Sequence, residues 1–481
     1  MNEIVLKAKV SAVFVSMLVV AACAVGPDYH PPKASVPTSW VGVTETKQPS
    51  VVTDRPADLA RWWQQLGDPA LTALVEEALK ANPSLALAQA NLRQARAVRD
   101  IAAGGLWPSA TASATYQRQA GPLYVTDEAP HNLNQIGLDA AWELDFFGGI
   151  RRNVEAASAG VQGAVENIRD VQVSIAAEVA LDYIQLRGNQ QQIVTARNNL
   201  QDQRHVAEIT RKLYSVGFDS GLDMAEAEST VATTEAQVPV FETAARQSIY
   251  ALSVLLARPP GALLERLLPT GKLPAIPEQI PAGLPSDLLR RRPDIRQAEA
   301  QLHSATAQIG VAVAQLFPQF SLTGGATWQS SGLHNWLQSS NRSVFIGTAA
   351  SWPVFQGGAI VANIRAQEAL RDQAFITYQQ TVLTALQDVE NALIAFTEEQ
   401  QRYKSLSEAV ANDHKAVDLS LRLFQEGQTD FLSVLTAERT LYTDDSAFAQ
   451  SGQNIGTDLI ALYKALGGGW EEAASTPFVN H

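Results

Sequence analysis

The sequence predicts a mixed α and β chain built by tandem duplication, with four short strands and two very long helical hairpins. Three observations predict it. Residues recur at a constant offset of 210 over most of the chain. Four segments of about ten residues alternate apolar and polar positions, the length of a tilted membrane strand. Two proline-free stretches, 148–214 and 357–424, are far longer than an ordinary globular helix.

The repeat comes first because it organises everything else. Pro83 and Pro108 recur as Pro293 and Pro318; Trp142, Gly148 and Asn153 recur as Trp352, Gly358 and Asn363. Gly217, Leu222, Ala227 and Glu228 recur as Gly427, Leu432, Ala437 and Glu438. No gap is needed. The period is too long for an ordinary solenoid, so each unit is one long structural repeat.

Within the unit, the order is helix, strand, strand, long helix, return helix. The Ala-rich periodic stretch 82–105 reads as a helix that ends before Pro108. Residues 109–116 give a weak strand signal. Residues 135–145 give a clear one, with Ile136, Leu138, Ala140, Trp142 and Leu144 on one face. In the second unit Phe320, Leu322, Ala326 and Trp328 alternate in the same way. Val344, Ile346, Ala350 and Trp352 supply the fourth strand, although Phe345 interrupts its polar face. Trp107, Trp142, Phe317 and Trp352 fall at one set of strand ends, where a membrane barrel carries an aromatic girdle. A soluble four-stranded sheet with one buried face would show the same alternation.

The long helices favour the membrane reading. A helix of about 66 residues is about 100 Å long, wider than any globular domain of this size. Val382, Val389, Phe396, Tyr403, Val410, Val417 and Phe424 repeat every seventh position, as do Val179, Leu186, Ile193 and Leu200. A strict heptad implies supercoiling against neighbours. The return helices, 221–256 and 431–466, are half as long and must stack on something else. Gly217 and Gly427 end the long helices as C′ glycines. Ser220 or Asp219, and Thr429 or Asp430, are the N-cap candidates for the return helices. Four strands cannot close a barrel and an open sheet cannot face lipid, so several chains must share one barrel.

Composition excludes other classes. The 481 residues are 46% apolar and 18% charged, with a net charge of −13 and one cysteine. A nucleic-acid binder would want a basic face. One cysteine excludes an internal disulfide framework and Cys-rich metal sites. The histidines do not lie at metal-ligand spacing. Gly271-Lys272 lacks the glycine of a P-loop, Arg266 standing in its place, and no G-x-S-x-G elbow occurs. The chain is expected to be no enzyme, with no cofactor and no metal.

Cys23 closes a distinctive leader. Lys7 and Lys9 precede an apolar run from Val10 to Ala22, too short to cross a bilayer as a helix. Val20-Ala21-Ala22-Cys23 resembles a bacterial lipobox, whose thiol accepts a diacylglycerol before cleavage; a buried cysteine after a fortuitous apolar run is the alternative. Ala24 beside it, by resemblance to other bacterial lipoproteins, directs the protein to the outer membrane.

The whole mature chain resembles the lipoprotein outer membrane factors of tripartite efflux systems, relatives of the TolC-type exit ducts. The matching stretches are 23–29, Trp62-Trp63 with Asp68-Pro69, Trp142-Glu143-Leu144-Asp145, 284–295 and 462–470. The resemblance implies a homotrimer, with a twelve-stranded outer-membrane barrel continued by a twelve-helix periplasmic tunnel and an irregular equatorial collar. It implies as partners outer-membrane lipid, a periplasmic adaptor protein and an inner-membrane pump of the RND class. It implies a passive exit duct for small molecules such as drugs; a duct for type I protein secretion, or a structural periplasmic coiled-coil lipoprotein, are the alternatives. On this reading 1–22 is the signal peptide and 23–66 the lipidated equatorial segment. The repeats are 67–257 and 286–466, the Pro-rich linker is 258–285, and the equatorial tail is 467–481.

The resemblance also assigns candidate sites. Leu432 and Arg439 match the constricting leucine and gating arginine of the periplasmic aperture. The aspartate usual between them is Thr436 here, which leaves Asp430 as a substitute partner. Val216, Gly217 and Phe218, with Gly427, Gln428 and Thr429, match the turns on which the adaptor docks.

Overall fold

The computed structural model describes residues 24–41, 51–53, 59–119, 131–277, 279–332 and 337–470. The leader, Cys23 and the tail from 471 lie outside the described residues. The strands are β1 (Val51–Thr53), β2 (Ser109–Gln119), β3 (His131–Leu144), β4 (Gln279–Pro281), β5 (Gln319–Ser330) and β6 (Arg342–Ser351). The helices are α1 (Pro69–Ala81), α2 (Pro83–Gly104), α3 (Gly149–Ser215), α4 (Gly221–Leu255), α5 (Leu264–Leu267), α6 (Pro285–Arg291), α7 (Pro293–Ala314), α8 (Ala359–Gln425) and α9 (Phe431–Ala465). The two long helices have 67 residues each and the two return helices 35 each, so the duplication is kept to the residue.

The chain forms two compact units, the first from the described residues within Met1–Lys33, Ala90–Val165 and Gln297–Gln379, the second from the rest. The first unit holds an antiparallel sheet in the order β2-β3-β5-β6. Each repeat contributes one hairpin, and β3 joins β5 across the repeats, with Ile136 opposite Trp328 and Trp142 opposite Leu322. Side chains alternate across a strand, so the apolar positions of β3, β5 and β6 share one face. That face is uncovered within the chain: Leu138 is 54% exposed, Val344 66% and Ile346 81%. A soluble sheet would bury it. Phe345, which interrupts the polar face, lies over Gly325, where a Cβ would collide with its ring.

The strand ends repeat the same detail. The Trp142 indole donates to the Leu106 carbonyl (2.9 Å), and the Trp352 indole to the Leu316 carbonyl (3.0 Å), 210 positions on. Phe147 stacks on Phe317 at 4.6 Å. Asp145, the last residue of the Trp142–Asp145 motif, caps α3 by accepting from the backbone of Ile150 and Arg151.

The second unit explains how the half-length return helices are continued. The buried Asn82 side chain donates to the Leu255 carbonyl at the end of α4 (2.9 Å) and accepts from Ser84 at the start of α2 (2.8 Å). Its counterpart in the second repeat is Arg292, which donates to the Ala465 carbonyl at the end of α9 (3.1 Å). Each return helix thus abuts the 22-residue helix of its own repeat, end to end. Around this joint Trp62 stacks on Tyr463 at 4.9 Å, and Gly468 and Gly469 leave room for the Trp62 and Trp63 rings. Helix α1, which the periodic stretch 82–105 does not include, starts on the Asp68 cap and packs Leu71, Leu74, Val75 and Ala78 inward.

Candidate gate and docking tips

Both helical hairpins lie, at their turns, in the second unit. In the first, α3 closes with Gly217 at a φ of +80°, its N–H bonded to Tyr214 and that of Phe218 to Leu213. This is the paired-bond glycine stop. Ser220, rather than Asp219, caps α4 in a reciprocal box with Asp223. In the second, Gly427 at +71° repeats the stop, with Gln428 N–H bonded to Leu423. Asp430, rather than Thr429, caps α9 by accepting from the Ser433 backbone (3.2 Å) and hydroxyl (2.8 Å). Val216 is 64% and Phe218 85% exposed, so the first turn presents two apolar side chains outward. The second turn is polar: Gln428 donates to Glu426, and the Thr429 hydroxyl to that of Ser433.

Beneath the turns, the four helices share an apolar core. Val206 and Ala207 of α3, Ala227 of α4, Phe424 of α8, and Phe431, Val434 and Leu435 of α9 are buried together. Phe424 and Phe431 meet at 5.6 Å. Residues 424 and 431 are a heptad apart across the turn, and they fasten the second hairpin to itself.

Three of the candidate gate residues occupy an exposed face of α9 beside its buried one. Leu432, Thr436, Arg439 and Thr443 follow one another at spacings of four, three and four, and all are exposed. The Thr436 hydroxyl donates to Leu432 and that of Thr443 to Arg439, so both threonines are turned back onto the helix backbone. The structure therefore brings Leu432, Thr436 and Arg439 onto one stripe. It does not bring Asp430 to Arg439: the Asp430 carboxylate is engaged as the helix cap, and Arg439 makes no ion pair among the described residues of its own chain.

Sequence reasoning missed a second feature of the hairpins. Arg197, Arg204 and Arg211 of α3 pair with Glu242, Glu235 and Glu228 of α4 at 2.7, 3.2 and 2.7 Å. The three rungs are seven residues apart. The signal was present as charge at heptad spacing on both helices. At the same offset the second hairpin has Ser407, His414 and Leu421 on α8, and Gly452, Asp445 and Glu438 on α9. Its arginines are gone and two of its acids remain.

Cys23 lies outside the described residues, but its neighbours are fixed. Val25 N–H donates to the Phe147 carbonyl (3.0 Å), and a Cβ on Gly148 would overlap Ala24. Arg152 holds the segment from below, bonded to Asp28 at 2.6 Å and Glu155 at 2.8 Å; that pairing keeps the Asp28 carboxyl below the usual range. Ala24 and Val25 are therefore anchored beside Phe147, at the aromatic end of the sheet.

Among the described residues no group of three His, Cys, Asp or Glu side chains could hold a metal ion. No described helix is long and apolar enough to cross a membrane.

The sequence profile of the family described as "Outer membrane efflux protein" matches residues 74–258 and 284–468, one match per repeat. The "Pyoverdine export outer membrane protein OpmQ" of Pseudomonas aeruginosa is 31% identical over 426 residues, 86% of this chain and 88% of that protein. The "Toluene efflux pump outer membrane protein TtgF" of Pseudomonas putida is 30% identical over 468 residues, 95% of this chain and 96% of that protein. Among solved structures, the outer-membrane channel OprN superposes with a TM-score of 0.87 at 35% identity, covering 93% of this chain and 100% of that one.

Proposed function

This chain belongs to the outer membrane efflux protein family, and from that premise we propose that it is the outer-membrane exit duct of a tripartite efflux pump, expelling small molecules. The observation that carries the reading is the four-stranded sheet with an uncovered apolar face. Its outer strands β2 and β6 have no further partner among the described residues, and an open edge is not stable in lipid. Three copies edge to edge give a closed twelve-stranded barrel, so the working form is a homotrimer. The long heptad helices supply the wall of the periplasmic tunnel. The duct performs no chemistry. The energy and the selection of substrate reside in an inner-membrane pump of the RND class, joined through a periplasmic adaptor.

The finer assignments follow from this. Cys23 carries the lipid, and the anchoring of Ala24 and Val25 at the aromatic sheet end supports a site level with the membrane surface. The turns at Val216–Phe218 and Gly427–Thr429 receive the adaptor. The stripe of Leu432, Thr436 and Arg439 faces the aperture, and Arg439 acts there without an intrachain carboxylate latch. The repeats keep the bounds 67–257 and 286–466, in keeping with helices that end at Leu255 and Ala465. A structural coiled-coil lipoprotein would have no use for an exposed apolar sheet. The names of the relatives speak of pyoverdine and toluene, which favours small-molecule cargo over secreted protein.

The test is accumulation of a fluorescent hydrophobic dye in a strain lacking the gene, with and without its restoration. Deletion should raise accumulation several-fold and the intact gene should reverse it. Unchanged accumulation, in a strain with no second duct, would overturn the small-molecule reading.

A further inference from the structure

The two hairpins share one sequence pattern but not one set of charges. In the first, three arginine–glutamate rungs tie α3 to α4 on the surface. In the second, the innermost rung is Leu421 and Glu438. The leucine packs on the apolar core of the tips. The glutamate is left only 7% exposed, with no hydrogen bond or ion pair among the described residues.

Glu438 lines a cavity of about 170 Å³ between the hairpins. The other titratable groups on its wall are Asp202 and His205 from α3, His414 and Asp418 from α8, and Tyr442 from α9 itself. Gln203 also lines it, and its side-chain oxygen is buried without a donor. A carboxylate at 438 would be largely removed from water and would feel the charge of Asp202, itself an exposed residue on the rim of the cavity. A protonated carboxyl brings a donor to a cavity that holds an unsatisfied acceptor. Burial and the Asp202 charge therefore favour the neutral form over the charged one.

We infer that Glu438 is a proton-binding site that couples docking of the second hairpin on the first to the pH of the surrounding compartment. The inference rests on the reading of this tip as the duct's aperture. Burial, and after it the Asp202 charge, pushes the Glu438 carboxyl up to about 7. Asp445, seven residues on, is raised by burial too, while His414 and a bond from Asn199 hold it down in part. With the hairpins apart, Glu438 returns to the ordinary carboxylate range. The docked state therefore binds the extra proton. Docking is strongest in acid, weakens as pH rises from about 4.5 to about 7, and changes no further above that.

The experiment is a distance measurement between spin labels at Ser215 and Glu426, exposed residues of the two tips, in the full-length trimer carrying Cys23→Ser. The ratio of short to long distances should fall at least about tenfold between pH 5 and pH 8. Glu438→Gln, neutral at every pH and of the same shape, should hold the short distance throughout. Asp202→Asn, which removes the opposing charge, should shift the transition to lower pH. A wild-type ratio that ignores pH, or a Glu438→Gln variant that titrates like wild type, would overturn the proposal. Dye accumulation with the same proteins separates the two readings. A duct that restores efflux but shows no titration loses only the proton site; failure of the unlabelled native gene to restore efflux strikes the duct itself.

Discussion

At the scale of the residue, position 82 and its counterpart 292 show how one structural task is met by two chemistries. Each must satisfy the last carbonyl of a return helix where the next helix begins. Asn82 does so with a neutral amide that also caps α2. Arg292 does so with a guanidinium that also bonds Asp294 (2.7 Å) and Asp388 (3.1 Å). Asn82→Ala removes a cap and strands a buried carbonyl, and should cost about 2 kcal/mol. Arg292→Ala leaves Asp294 and Asp388 without the cation they share and should cost about 3 kcal/mol, softened because Asp388 is half-exposed. Thermal unfolding of the detergent-extracted protein checks both. Arg292→Ala should lower the midpoint more than Asn82→Ala. An unchanged midpoint in both variants would remove these residues from the joints.

At the scale of the element, the glycines of the hairpin turns are required by backbone conformation and not by packing. Nothing lies within 4 Å of a Cβ placed on Gly217 or Gly427, so a substitution there meets no steric obstacle beyond its own φ. An alanine held at positive φ costs about 1 kcal/mol. Gly427→Ala should therefore lower hydrogen-exchange protection in the last turn of α8 about fivefold, leaving the core of the helix untouched. Loss of protection along the whole helix would mean that the glycine has a packing role as well. The arginine rungs of the first hairpin are weaker individually, since their side chains are about half exposed. Their value lies in sitting at one heptad position, where three pairs restrain the same two helices.

At the scale of the whole molecule, the decisive property is the uncovered apolar sheet face. Water opposes such a surface and lipid does not. Ile346, at 81% exposure, gives the sharpest test. On a soluble sheet Ile346→Arg would be harmless or favourable. On a lipid-facing barrel wall it should cost about 2–4 kcal/mol near the bilayer midplane. The expected outcome is a reduced yield of heat-resistant trimer in the membrane fraction. An undiminished trimer yield would place this face away from lipid.

The sequence alone determined the features that depend on local or periodic rules. The offset of 210, the alternation of the strands, the heptads and the glycine stops all follow from repetition and backbone preference, and these are written along the chain. Helix α1 lies outside the periodic stretch 82–105 and is not legible there, because it precedes Pro83, the first position matched at the 210 offset. For the caps the sequence offers a pair of candidates at each return helix. The fold selects Ser220 and Asp430, since both members of each pair carry an acceptor oxygen. Other features depend on residues far apart in sequence. Tertiary structure alone decided that Asn82 and Arg292 join helix ends, that Asp430 is occupied as a cap, and that Glu438 is buried while Glu228 is paired at the surface. The physical reason is the same in each case. A side chain's propensity is its own, but its burial and its partner belong to whatever the fold sets against it.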